Sequence, residues 1–206
     1  MSEGEGWVIE IRESVGTQGI AMHTVQIRLA LVVCFFFAAA ASAGSPRVFE
    51  LPDHGALTLV VPDDWADKVK RPPNRLPPTI LLKRGVAGSG EVLITAVWPV
   101  PPMTKLPDEA GIRSEVATLA KQIAAHSVEG VLPLQELKGV EGRGFYFSAT
   151  DRAPGPGEYK YLTQGIVRVG EISLAFTVLT NDGQEAVVKA ALEMLRTAAH
   201  RSGSAV

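Results

Sequence analysis

Apolar and polar positions alternate with a period of two along several stretches of the chain. Ile172, Leu174, Phe176 and Val178 share one face of a run whose other face holds Ser173, Ala175 and Thr177. Such alternation predicts a strand over 172–180 with one large-residue face and one small-residue face against which a helix can pack closely. The same reading gives strands over 57–61, 79–84, 91–98, 132–140, 144–150 and 159–169, and a short extended segment over 47–51 closed by Pro52. Turns rich in Gly, Asp or Pro separate the last four strands and favour antiparallel hairpins. The period changes twice. Ile112, Val116, Leu119 and Ile123 recur at helical steps, which predicts a helix over 108–127. Val187, Val188, Ala191, Leu192, Leu195 and Ala199 predict a second over 184–200, with Asn181 or Asp182 as its cap. Lys68 to Pro78 holds four prolines and reads as a stiff basic loop.

The order is strands, helix, strands, helix, without βαβ alternation. That order indicates an α+β domain: an antiparallel β-sheet with helices packed on its faces, an α/β/α sandwich.

The N-terminal part follows another pattern. Leu29 to Ala41 is an unbroken apolar run, shorter than the roughly 20 residues that span a bilayer. Ala41-Ser42-Ala43 follows as a small-x-small cleavage pattern, and Gly44, Ser45 and Pro46 break any continuing helix. Residues 22–43 therefore read as a signal peptide cleaved after Ala43, with an uncleaved anchor as the alternative. Residues 1–21 carry Glu3, Glu5, Glu10 and Glu13 against Arg12, the wrong sign for such a leader. They read as a misassigned extension ahead of a start at Met22. Val33 stands before Cys34 where a lipoprotein signal needs a small residue. The expected product is one exported domain, 44–206, in the periplasm or outside the cell.

Charge narrows the function classes. Only Arg12 and Arg28 of the 20 basic residues, and four Glu of the 22 acidic ones, precede Gly44. The expected domain is thus neutral, which argues against a nucleic-acid partner. Cys34 is the only cysteine, so the domain has neither disulfide nor thiol chemistry.

Several stretches invite a chemical reading. Gly85-x-x-Gly88-x-Gly90 and Gly139-x-x-Gly142-x-Gly144 lead into strands, whereas phosphate loops lead into helix N-termini. They read as turns. His54, His126 and His200 are the available imidazoles beyond residue 43, and no Gly-x-Ser-x-Gly accompanies them. His126 and His200 are expected near helix C-termini. Glu50, Asp53 and His54 fall short of a zinc ligand set and read as a turn. Asp63 and Asp64 suggest paired carboxylates, but adjacent strand residues face opposite ways. No catalytic, cofactor or metal residue is therefore assigned. Lys68, Lys70, Arg71 and Arg75 concentrate positive charge on a neutral domain and form the candidate partner-binding loop, suited to an acidic protein surface or an anionic membrane.

Three segments carry a family resemblance. "LTLVVPDDW" (Leu57 to Trp65), "ELKGVEGRGFYFSA" (Glu136 to Ala149) and "YLTQGIVRVGEISLAFTVLT" (Tyr161 to Thr180) resemble the opening strand, central hairpin and closing hairpin of the PsbP-like and DcrB-like fold. The resemblance spans most of 47–200. It implies an exported binding or accessory module docking on a cell-envelope protein, and it transfers no active-site residue. A hydrolase or metal-dependent enzyme, and a small-ligand carrier with a pocket between sheet and helix, are the alternatives.

Overall fold

The computed structural model describes residues 44–72, 77–85, 90–99 and 104–203. The expected signal peptide, its cleavage after Ala43, the start at Met22, Cys34 and Arg75 lie outside the described residues. Ten strands and two helices follow in the order β1 (Gly44–Glu50), β2 (Ala56–Pro62), β3 (Trp65–Lys70), β4 (Thr79–Arg84), β5 (Glu91–Val97), α1 (Glu109–Ala124), β6 (Gln135–Lys138), β7 (Arg143–Thr150), β8 (Tyr161–Val169), β9 (Ile172–Thr180), α2 (Glu185–Arg196) and β10 (Ala199–Arg201). The architecture is α+β, as the alternation predicts.

Seven strands form an antiparallel sheet in the order β3-β4-β5-β9-β8-β7-β6, and three form a second sheet in the order β1-β2-β10. The period of two sorts the large sheet into two cores. On one face Ile80, Leu82, Val92, Ile94, Leu174, Phe176 and Val178 pack with Val187, Ala191 and Leu195 of α2 and with Leu57, Leu59 and Val61 of β2. On the other, Phe145, Phe147, Ala149 and Ile166 pack under Ile112, Val116 and Ala120 of α1. Asp108 caps α1, accepting a hydrogen bond from the Gly111 amide at 2.8 Å.

Four local expectations are corrected. Residues 68–70 are strand, not loop: Asp63 and Asp64 make a tight turn, Trp65 is buried, Val69 packs on the first core, and β3 pairs with β4 along its length. An edge strand tolerates the lysines between these anchors. β6 is shorter than 132–140, because Leu132 and Leu134 pack with the α1 core. α2 stops at Arg196, because the free edge of β2 takes up 199–201 as β10, so His200 is a strand residue. Neither Asn181 nor Asp182 caps α2. Asn181 Oδ1 accepts from the Lys160 amide, Asp182 accepts from Lys160 and Tyr161, and Gln184 holds the cap position with its Oε1 turned back to accept from the Asn181 amide rather than capping the helix. α2 packs on the large face of β9. Ala175 of the small face borders the α1 core.

Candidate functional site

The basic residues stand at the sheet margin. Lys68 and Lys70 are exposed on edge strand β3, Arg71 is exposed just beyond it, and none of the three pairs with a described acid. Register fixes what lies beside them. Lys68 is opposite Leu81 and Lys70 opposite Thr79. Leu81 and Thr79 face Leu93 and Thr95, and Leu93 faces Thr177. Cross-strand partners share a face, so the lysines border a surface that runs through Leu81 and Leu93 and includes Val97 and Leu179. These four apolar residues are half-buried and belong to neither core. α1 lies on the same face but packs on β7 and β8. Half of this face is therefore left without a described helix.

Acids near this surface are already engaged. Asp67 points to the opposite face and is held by Arg47 at 2.6 Å. Glu91 is paired with Lys83 and accepts from the Tyr159 hydroxyl at 2.9 Å. The Lys83 bond, aided by Tyr159, outweighs burial and holds the Glu91 carboxyl below its usual range. The margin formed by β3 is thus positive.

A second cluster gathers residues far apart in sequence. Asp53, at φ 61°, opens the turn between β1 and β2. His54 follows and stacks on Trp98 at 4.2 Å between ring centroids. His200 Nε2 lies 2.8 Å from the His54 carbonyl oxygen, and the His200 amide donates to Glu141. Asp53, His54, Trp98, Glu171 and His200 line a cleft of about 230 Å³. A carbonyl oxygen can only accept, so His200 Nε2 carries a proton, and Nδ1 is buried without a partner. The arrangement clasps β10 to the β1–β2 turn. Among the described residues, no three His, Cys, Asp or Glu side chains gather as metal ligands; Glu50 is exposed on β1.

The other sequence candidates are dispersed. Asp64 binds Arg84 at 2.7 Å, and Asp63 accepts from Ser45. His126 is exposed beyond the end of α1. Gly142 and Gly144 lie against the backbone of β8: an added Cβ would come within 2.6 Å of the Arg168 oxygen and 2.1 Å of the Ile166 oxygen, respectively. These glycines permit close strand approach. Sequence reasoning missed Leu81, Leu93, Val97 and Leu179 as one surface, because each strand alone reads as ordinary alternation. It also missed the approach of His54 to His200.

No protein-family model and no curated protein matches the chain. Among the described residues no helix is long and apolar enough to cross a membrane. Two solved structures are similar in outline. A crystal structure from Bacteroides thetaiotaomicron VPI-5482 is 14% identical, with 78% of this chain and 49% of that one covered at a TM-score of 0.49. This chain thus spans about half the length of the Bacteroides protein. The solution structure of cyanobacterial PsbP (CyanoP) from Synechocystis sp. PCC 6803 is 9% identical, with 79% of this chain and 96% of that one covered at a TM-score of 0.49. A PsbP structure is thus among the solved structures to which the chain is similar in outline.

Proposed function

We propose that this protein is an exported, non-enzymatic binding module that docks on an acidic patch of a cell-envelope protein through the open half of its large sheet. One observation carries the reading: Leu81, Leu93, Val97 and Leu179 form a half-buried apolar surface outside both cores, with Lys68 and Lys70 along its margin. Apolar surface with a charged rim is the composition of a docking site. Unpaired lysines on that rim favour a partner bearing Asp and Glu, and they set encounter rate and orientation. Export rests on the apolar run and Ala41-Ser42-Ala43. N-terminal sequencing of the protein from its own cells checks this; a mature chain beginning at Gly44 is expected.

The docking test places a photo-crosslinking residue at Leu93 and, as control, at Val48, which is 57% exposed on β1. Crosslinking in the cell envelope at Leu93 but not Val48, to an acidic protein segment and abolished by Lys68→Glu with Lys70→Glu, is the expected result. Equal labelling at both positions, or adducts with anionic lipid alone, overturns the reading.

A further inference from the structure

The other face of the sheet carries a cleft beside α2. α2 covers only part of the surface it packs on. Its buried residues Val187, Ala191, Met194 and Leu195 lie over apolar sheet positions. Beside it the same sheet face changes character, and hydroxyls replace methyls. Ser148 of β7 stands opposite Thr163 of β8, and their oxygens are 2.9 Å apart. Thr180 of β9 lies opposite Tyr161 of β8, two residues from Thr163 on the same face. Thr163 and Thr180 are 4% and 3% exposed, yet Ser148 between them and solvent is open. The sheet there is a recessed polar floor.

α2 supplies the wall. Glu185, Val188, Lys189, Leu192 and Arg196 follow helical spacing along one flank, and the cleft between wall and floor measures about 540 Å³. That volume suits a small organic molecule. Its chemistry is uneven in a useful way. Val188 and Leu192 offer an apolar strip. Lys189 pairs with no described acid, and Arg196 has only a 3.4 Å contact with the exposed Glu193. Against these two cations stands the single carboxylate Glu185.

We propose that this groove binds a small organic monocarboxylate with an apolar body. The carboxylate meets Lys189 and Arg196, whose guanidinium suits bidentate contact. The hydrocarbon lies along Val188 and Leu192, and the hydroxyls of Ser148 and Thr163 orient it from below. A dianionic phosphate is disfavoured, because the carboxylate of Glu185 stands in the wall. The site is on the face opposite Lys68 and Lys70, so it stands or falls independently of the docking surface.

The test is a titration of the full chain, followed by amide NMR, with sodium octanoate, 1-octanol and inorganic phosphate. Octanoate is expected to shift the amides of 161–163, 180–181 and 188–196. Lys189→Gln with Arg196→Gln is expected to weaken octanoate at least tenfold and leave 1-octanol unchanged. Ser148→Trp, at an exposed position, fills the groove and is expected to abolish both. Lys68→Glu with Lys70→Glu is expected to change neither. Octanoate binding that survives Ser148→Trp, octanol binding as tight as octanoate, or phosphate alone shifting these amides overturns the proposal.

Discussion

Tyr159 donates its hydroxyl to Glu91, and the bond couples two strands' worth of side chains to pH. Burial first, and then the Glu91 hydrogen bond and charge, push the Tyr159 hydroxyl up to about 12. The folded chain thus holds this proton more tightly than the unfolded chain. The resulting stabilisation is complete below about pH 10, the ordinary tyrosine value, and is lost as pH rises to about 12. Glu91 behaves oppositely: its depressed carboxyl contributes above its ordinary value of 4.5 and loses the contribution as pH falls through the lower folded value. Urea midpoints measured across pH should therefore fall between about pH 10 and 12. Tyr159→Phe should flatten that alkaline limb, and Glu91→Gln the acid one; limbs that match the parent's would remove the coupling. Gly165 makes a steric prediction of the same grain. A Cβ there would sit 2.3 Å from the Phe145 oxygen and 2.5 Å from the Tyr146 Cβ, inside β7 and therefore unable to yield. Gly165→Ala should cost about 2–3 kcal/mol in denaturant unfolding.

α1 packs on the sheet over a fully buried ring. Phe147 is fully buried beneath Ile112, Val116 and Ala120. Phe147→Ala should destabilise the fold by about 3–5 kcal/mol. Asp108→Ala, which removes only the cap, should cost about 1 kcal/mol. Both are read from urea denaturation. These elements are also the ones that sequence describes well. The α1 stripe and the alternation in β7, β8 and β9 are long, and each is set by burial against one neighbour, so period alone reports them. β3 fails that test. Its anchors, Trp65 and Val69, are separated by charged residues, and the prolines beyond Arg71 give a louder signal than a two-anchor strand. β10 fails for another reason. Ala198 and Ala199 continue the helical period of α2, and only the free edge of β2 turns residue 199 into strand. The candidate surfaces are readable in half. Lys68, Lys70 and Arg71 stand out by charge, but Leu81, Leu93 and Leu179 become one surface only when β5 pairs with β9, a pairing between distant segments. Ser148, Thr163 and Thr180 likewise meet only through strand order.

The whole domain is two cores divided by one sheet, and the cores are closed differently. The α1 core is local: its helix and β7, β8 are near in sequence. The larger core is closed by strands from the two ends of the domain. β2 buries Leu57, Leu59 and Val61 against the sheet and α2, and β10 completes its outer edge with Ala199 opposite Thr58 and Arg201 opposite Ala56. His200 binds the His54 carbonyl, and Gly55, at φ 76°, lies so close to Arg201 and Gly203 that no side chain fits between them. Removing residues 199–206 should therefore act on one core. The truncated chain loses a three-residue ladder and the His200 clasp, which should lower the melting temperature by roughly 5–10 °C for a domain of this size. Amides of β2 that face β10 should lose hydrogen-exchange protection, and the exposed edge should promote association. α1 amides, across the sheet, should keep theirs at temperatures well below the transition. If α1 and β2 instead lose protection together and by the same factor, the two cores open as one cooperative unit. The large sheet would then transmit the loss of β10 from the small sheet to the helix on its far face.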